Sequence, residues 1–192
     1  MQTTSKPLLI LDIDETLIFA TKEELEHPAH FTMDKYFVYI RPFLEEFINE
    51  VKNDYRLAVW SSAGDDYVHE IVSQLKVLDN QLEFVWARSK CKRKYVPQMD
   101  EDGYYDTDPK SHYYFVKPLK KVKRKGYSLE RILILDDTFR KSEENYGNAI
   151  YPAPYFGHEI DNELQKVALY LKKIKDVENF RAIEKRDWRE RL

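Results

Sequence analysis

Cysteine is almost missing from this chain of 192 residues: Cys91 stands alone. That excludes an intramolecular disulfide framework and a metal site built on several thiolates, and it suits a reducing compartment. Long apolar runs are missing too, since no stretch approaches the roughly 20 residues a membrane span needs. The first residues, Met1 to Pro7, lack the basic head, apolar middle and small-residue cleavage site of a secretory signal. A soluble, cytoplasmic protein is therefore expected, or a nuclear one in a eukaryote, with no membrane partner. Nor does one sign of charge dominate. Lysine and arginine number 31 against 34 acids, a formal net charge of -3, so no overall basic field invites nucleic acid or anionic lipid. Repeats, low-complexity tracts and linker-like stretches are absent, and the length fits one domain over 1–192.

What is present is an ordinary globular mixture, 43% hydrophobic and 34% charged, with apolar mass for a sizeable core. Leu8 to Leu11 is a short apolar run ending abruptly in acid, the pattern of a buried parallel strand whose carboxyl end opens onto a site. Tyr36 to Ile40 is β-branched and aromatic, a second strand. Pro42 starts a helix with Leu44, Phe47, Ile48 and Val51 on one face. Leu57 to Trp60 is another buried strand, followed by a polar turn from Ser61 to Asp66. A helix carrying Val68, Ile71, Val72 and Leu75 comes next, and Leu82 to Ala87 is a strand.

From Arg88 to about residue 115 the character changes to polar, tyrosine-rich and charged, with a turn-like Asp102-Gly103 pair. This reads as a hairpin-bearing insertion. A short helix is expected around Leu119 to Lys125. Ile132 to Leu135 is a further apolar strand ending in Asp136 and Asp137. Asp161 caps a helix whose buried face is Leu164, Val167, Ala168, Leu171 and Ile174. The charged tail from Glu178 to Leu192 is read as helical, packed by Phe180, Ile183 and Trp188. Strands alternating with helices predict an α/β fold with a mainly parallel sheet. Ligands of such sheets bind beyond the carboxyl ends of the strands, so Asp12, Ser61, Asp136 and Asp137 are expected to converge.

Asp12 and Asp14 are two apart, and on an extended chain such side chains point the same way. An ionised carboxylate can attack phosphorus to give an aspartyl phosphate. It cannot approach a phosphate dianion unaided, so the site needs a cation such as Mg²⁺ and a fixed positive donor such as lysine. Asp14 can protonate the leaving oxygen and later take a proton from the attacking water, a contribution of about 10²–10⁴-fold. A bare Asp-x-Asp serves as readily as a loop start and a helix cap; features downstream decide between the two.

With those features the chain resembles the haloacid dehalogenase superfamily of phosphotransferases. Within it, the chain is similar to the RNA polymerase C-terminal-domain phosphatases and their small relatives, the FCP/SCP-like or NLI-interacting-factor-like family. The matches come in order: Asp12, Asp14 and Thr16 after an apolar strand; Ser61 after Leu57 to Trp60; Lys117 after the insertion; and Asp136-Asp137 after Ile132 to Leu135. Lesser echoes are Arg41-Pro42, Arg88 to Cys91 and Asp161 to Leu164. The resemblance implies a Rossmann-like three-layer sandwich and a Mg²⁺-dependent phosphatase working through an aspartyl-phosphate intermediate on phosphorylated protein or peptide. It implies Asp12 as nucleophile and metal ligand, and Asp14 as general acid/base lending its backbone carbonyl to the metal. Ser61, Lys117 and Thr16 would bind the phosphoryl group. Asp137 would be the direct ligand of the acidic pair and Asp136 the partner of Lys117 or of a metal-bound water, a division that could be reversed.

Other features carry two readings each. Tyr104, Tyr105, Tyr113 and Tyr114 line a phosphopeptide groove or pack the hairpin on the core. The basic run from Lys117 to Lys125 is a solvated helix face or a patch for nucleic acid. The histidines, His112 and His158 among them, lack metal-ligand spacing, and Cys91 is read as buried rather than reactive. Competing functions are a phosphatase of nucleic-acid ends, nucleotides or metabolites, and a catalytically silent phosphopeptide-binding module. A signalling receiver domain ranks low, because it would carry its phosphorylated aspartate on a later strand.

Overall fold

The computed structural model describes residues 6–96, 98, 99, 105, 106 and 112–192. In chain order the strands and helices are β1 (Leu8–Leu11), β2 (Ile18–Thr21), β3 (Phe31–Met33), β4 (Tyr36–Ile40), α1 (Leu44–Val51), β5 (Arg56–Trp60), α2 (Asp65–Gln74) and β6 (Leu82–Trp86). They continue with β7 (Lys92–Tyr95), β8 (Gln98–Met99), β9 (Tyr105–Asp106), β10 (Tyr113–Val116), α3 (Lys120–Lys123), β11 (Ile132–Leu135), β12 (Ala149–Ile150) and α4 (Glu163–Ile174).

A five-stranded sheet, ordered β12-β11-β1-β5-β6 and parallel throughout, forms the centre. Its three inner strands are apolar at nearly every position because both faces are covered. Alternation sends Leu9, Leu11, Leu57, Val59, Leu133 and Leu135 to one face, where α1, α2 and α4 pack. Leu8, Ile10, Ala58, Trp60, Ile132 and Ile134 go to the other, under Leu119 and Val122 of the α3 segment. The result is helix, sheet, helix. Among the described residues no helix is long and apolar enough to cross a membrane.

Several expectations needed correction. Tyr36–Ile40 is a strand, but it belongs to a separate antiparallel sheet ordered β2-β4-β3. The other two members of that sheet escaped notice because they are only four and three residues long and show no clear alternation. The expected hairpin is present as the antiparallel pair β7 and β10, with the small β8-β9 pair between them. The Asp102-Gly103 turn and Tyr104 lie outside the described residues. The tail is no continuous helix. It forms two short 3₁₀ turns, Phe180–Ala182 and Trp188–Arg191, with Phe180 and Trp188 buried. Two anchoring aromatics without an apolar stripe between them do not sustain a helical face.

Arg41 and Asp161 lock α4 to the loop that follows β1. The buried guanidinium donates to Asp161 Oδ1 and Oδ2 at 3.0 and 2.8 Å, to the Thr16 carbonyl at 3.1 Å and to the Ala153 carbonyl at 2.9 Å. Asp161, the expected cap, sits one residue ahead of the observed one, Asn162, yet its Oδ1 still accepts from the Glu163 amide at 2.8 Å. Removing one partner of such a pair leaves a buried charge uncompensated, which costs ~3–5 kcal/mol where both groups are dry. Asp161 keeps 16% of its side chain exposed, so Asp161→Ala is expected to lose about 3 kcal/mol, at the low end of that range, in urea unfolding. Burial raises the Asp161 carboxyl, but bonds from Arg41 and the Glu163 amide outweigh it and hold the group below its ordinary value. A depressed folded value stabilises fully above the unfolded value of about 3.9, and that share fades as pH falls through the folded value. The gap between wild type and variant should therefore be constant near neutrality and narrow in acid. A gap that widens in acid would contradict this assignment.

Candidate active site

The inner strands stop together, and each hands one further backbone hydrogen bond to the residue behind it. The Asp12 amide donates to the Leu135 carbonyl at 2.9 Å, the Ser61 amide to the Trp86 carbonyl at 3.0 Å, and the Asp136 amide to the Ile150 carbonyl at 3.2 Å. Asp12, Ser61 and Asp136 are thus held by the sheet itself and fully buried. Behind Asp14 the chain turns sharply, with Glu15 in the left-handed region at φ 57° and the amides of Thr16, Leu17 and Ile18 all directed at the Ile13 carbonyl. A left-handed non-glycine residue is costly, and such residues gather at functional turns.

Asp12 lies between two lysines. Its Oδ1 is 2.9 Å from Lys117 Nζ and accepts from the Ile13 amide at 2.8 Å; its Oδ2 is 2.8 Å from Lys141 Nζ. Burial alone would raise this carboxyl. The two ammonium groups outweigh burial and hold it below the usual carboxylate range, so it is ionised. Asp136 accepts from Lys117 Nζ at 2.6 Å and from the Thr138 amide at 3.0 Å. Burial, with the charge of Asp12 added, pushes its carboxyl up against the pull of the lysines. Asp137 is held on both oxygens, by the Thr16 hydroxyl at 3.2 Å and the Thr138 hydroxyl at 3.0 Å. Asp12, Asp136 and Asp137 each offer an oxygen within 4.8 Å of the others. This all-oxygen carboxylate set fits a hard cation better than a soft one.

Asp14 points elsewhere. Its Oδ1 accepts from the Tyr67 hydroxyl at 2.5 Å and its Oδ2 from the Ser61 hydroxyl at 3.4 Å, so its side chain stands outside the three-carboxylate group. Burial raises its carboxyl, opposed by the Tyr67 bond and assisted by the charge of Asp12. Glu15 is raised to about 7 by burial and by Asp14 and Asp137. The Thr16 hydroxyl, expected on phosphate, is here spent on Asp137, whose amide it also accepts at 3.2 Å.

Two members of the constellation have no counterpart among the expected residues. Tyr67 sits in the first turns of α2, where a half-buried tyrosine looks like packing. Lys141 lies in the 3₁₀ stretch Phe139–Asn148, which has no periodicity to read. Its spacing of four from Asp137 was the available signal. Of the tyrosines, Tyr114 donates to Glu143 at 2.8 Å beneath the Arg140 guanidinium, whereas Tyr113 is exposed. Lys120, Lys123, Arg124 and Lys125 are exposed, so most of the basic run faces solvent. Cys91, expected to be buried, is half-buried, and what burial it has pushes its thiol up, away from the reactive thiolate.

Residues 7–181 match the family described as NLI interacting factor-like phosphatase. Among curated proteins, CTD small phosphatase-like protein 2 of Dictyostelium discoideum is 26% identical over 186 residues, which is 93% of this chain and 29% of that protein. Ubiquitin-like domain-containing CTD phosphatase 1 of Danio rerio is 27% identical over 191 residues, 95% of this chain and 54% of that protein. The chain therefore spans about half the length, or less, of these relatives. A fission yeast RNA polymerase II CTD phosphatase bound to beryllium fluoride shares the fold, with TM-score 0.64, 14% identity and coverage of 90% of this chain and 63% of that one. A haloacid dehalogenase-like hydrolase from Xanthomonas campestris does so at TM-score 0.55 and 10% identity, covering 91% and 99%.

Proposed function

We propose that this chain, which belongs to the NLI interacting factor-like phosphatase family, is a Mg²⁺-dependent phosphatase that forms its covalent intermediate on Asp12. The observation that carries the reading is the setting of Asp12: an ionised, buried carboxylate clamped between Lys117 and Lys141, with a second acid, Asp14, held apart on Tyr67 and Ser61. The two aspartates have environments that push them in opposite directions, which is how one site provides both a nucleophile and a proton donor.

An oxygen of Asp12 attacks phosphorus, forming a new P–O bond as the bond to the substrate oxygen breaks. Asp14 gives its proton to that departing oxygen. Water then attacks the aspartyl phosphate, Asp14 takes a proton from it, and the bond to Asp12 breaks to release inorganic phosphate. In this reading Lys117 and the Ser61 hydroxyl would hold the phosphoryl oxygens. Asp12, Asp136 and Asp137, with the Asp14 carbonyl, would hold Mg²⁺, which when bound supplies Lewis-acid neutralisation of the phosphoryl charge. Thr16 orients Asp137. The names of relatives called CTD phosphatases, and of a structural neighbour called an RNA polymerase II CTD phosphatase, support a phosphorylated protein as substrate, for which we propose phosphoserine or phosphothreonine peptides.

Hydrolysis of an aryl phosphate should fall by at least ~10²-fold in chelator and return with excess Mg²⁺, since a Lewis acid stabilises such transfer by several kcal/mol. Among phosphopeptides, sugar phosphates and end-phosphorylated oligonucleotides, the peptides should turn over fastest. Faster oligonucleotide turnover would move the substrate to nucleic-acid ends. A wild type that binds phosphopeptide without turnover would make the chain a silent binding module.

A further inference from the structure

The cation already seated at the three-carboxylate cluster is part of the chain. Lys141 Nζ stands 2.8 Å from Asp12 Oδ2, 3.8 Å from Asp136 Oδ1 and 3.9 Å from Asp137 Oδ1. It thus faces every member of the group whose oxygens gather within 4.8 Å. Three carboxylates so close repel one another, and an ammonium among them does the electrostatic task of a bound cation. We infer that Lys141 is a displaceable internal counter-ion, whose ammonium occupies the acidic cluster and competes with the divalent cation for it. The inference rests on the reading above, in which this cluster takes Mg²⁺.

The two lysines of the site differ in a way that assigns this part to Lys141. Lys117 has no exposed side-chain surface and bonds at 2.6 Å to Asp136 and 2.9 Å to Asp12. Its backbone is tied down too: its amide donates to the Lys141 carbonyl at 2.8 Å and its carbonyl accepts from Asn145 Nδ2 at 2.9 Å. Lys141 makes one short contact and two long ones, and 18% of its side chain meets solvent. A four-carbon stem with an open side can carry the charge outward. Lys117 contacts two of the three carboxylates, whereas Lys141 alone faces all three, where a dication would sit; the two charges repel there, so entry of the dication drives the Lys141 ammonium outward.

This gives opposite signs for two measurable quantities. Without Lys141 the carboxylates lose their counter-charge, so the metal-free protein becomes less stable, while a divalent ion no longer has a competitor. A purely structural lysine would lower stability without tightening metal binding. A lysine that only binds phosphate would leave metal binding in the absence of substrate unchanged.

The experiment is calorimetric titration of wild type, Lys141→Met and Lys141→Arg with MgCl₂ alone, paired with thermal melts with and without Mg²⁺. Lys141→Met is expected to bind Mg²⁺ about tenfold or more tightly than wild type. It should melt lower in chelator and gain more on adding Mg²⁺. Lys141→Arg, which keeps the charge, should stay near wild type. Should the methionine variant fail to fold, Lys141→Gln carries the same expectation. Equal or weaker Mg²⁺ binding by the neutral variants, with wild-type binding intact, overturns the counter-ion role and leaves the metal reading standing. No Mg²⁺ binding by any of these proteins overturns both.

Discussion

Asp12→Asn is expected to lower turnover of any phosphomonoester by at least about 10⁴-fold, because the amide oxygen is not a nucleophile for phosphorus. The fold should survive. Asparagine is the same size, and its Oδ1 can still accept from the Ile13 amide and from Lys117, the bonds Asp12 Oδ1 makes now. What changes is charge. Lys117 keeps Asp136 at 2.6 Å, whereas Lys141 loses its one short partner. A moderate fall in melting temperature with an unchanged circular dichroism spectrum is therefore part of the expected result. The direct check is acid quench of wild type during turnover, which should leave one phosphoryl group on the peptide containing Asp12 and none on the variant. A variant within tenfold of wild type would place the nucleophile elsewhere.

The parts of this site that could be read from the residues are those the sheet itself builds. Apolar runs at Leu8, Leu57 and Ile132 announce strands buried on both faces, and the polar residue that ends each run must emerge at the same sheet edge. Asp12, Ser61, Asp136 and Asp137 were legible for that reason. Lys117 was legible through its order among the motifs. Lys141 and Tyr67 reach the site from a 3₁₀ stretch and a helix face, where position along the chain does not dictate direction in space. The β2-β4-β3 sheet was half legible. Its middle strand has enough β-branched and aromatic residues to show, and its neighbours are too short. The tail shows the converse error, in which charge and scattered aromatics suggested a helix that the chain does not form.

Asp14→Asn should slow turnover by about 10²–10⁴-fold, with a loss that depends on the leaving group. The carboxyl rests on the Tyr67 hydroxyl at 2.5 Å and the Ser61 hydroxyl at 3.4 Å, and asparagine can accept the first of these bonds and keep the geometry. It can neither deliver a proton nor take one. Departure of a serine alkoxide needs that proton, so with a phosphoserine peptide both steps suffer. A nitrophenolate departs without help, so with an aryl phosphate the first step continues and only attack by water slows. The variant should therefore lose more on the peptide than on the aryl ester, and with the ester it should show a burst of nitrophenolate as Asp12 fills with phosphate. Equal losses on both substrates, with no burst, would restrict Asp14 to supporting the turn behind β1. An unchanged rate would mean that another group handles the protons, and Glu15, raised to about 7 by burial and by the charges of Asp14 and Asp137, is the neighbour to substitute next.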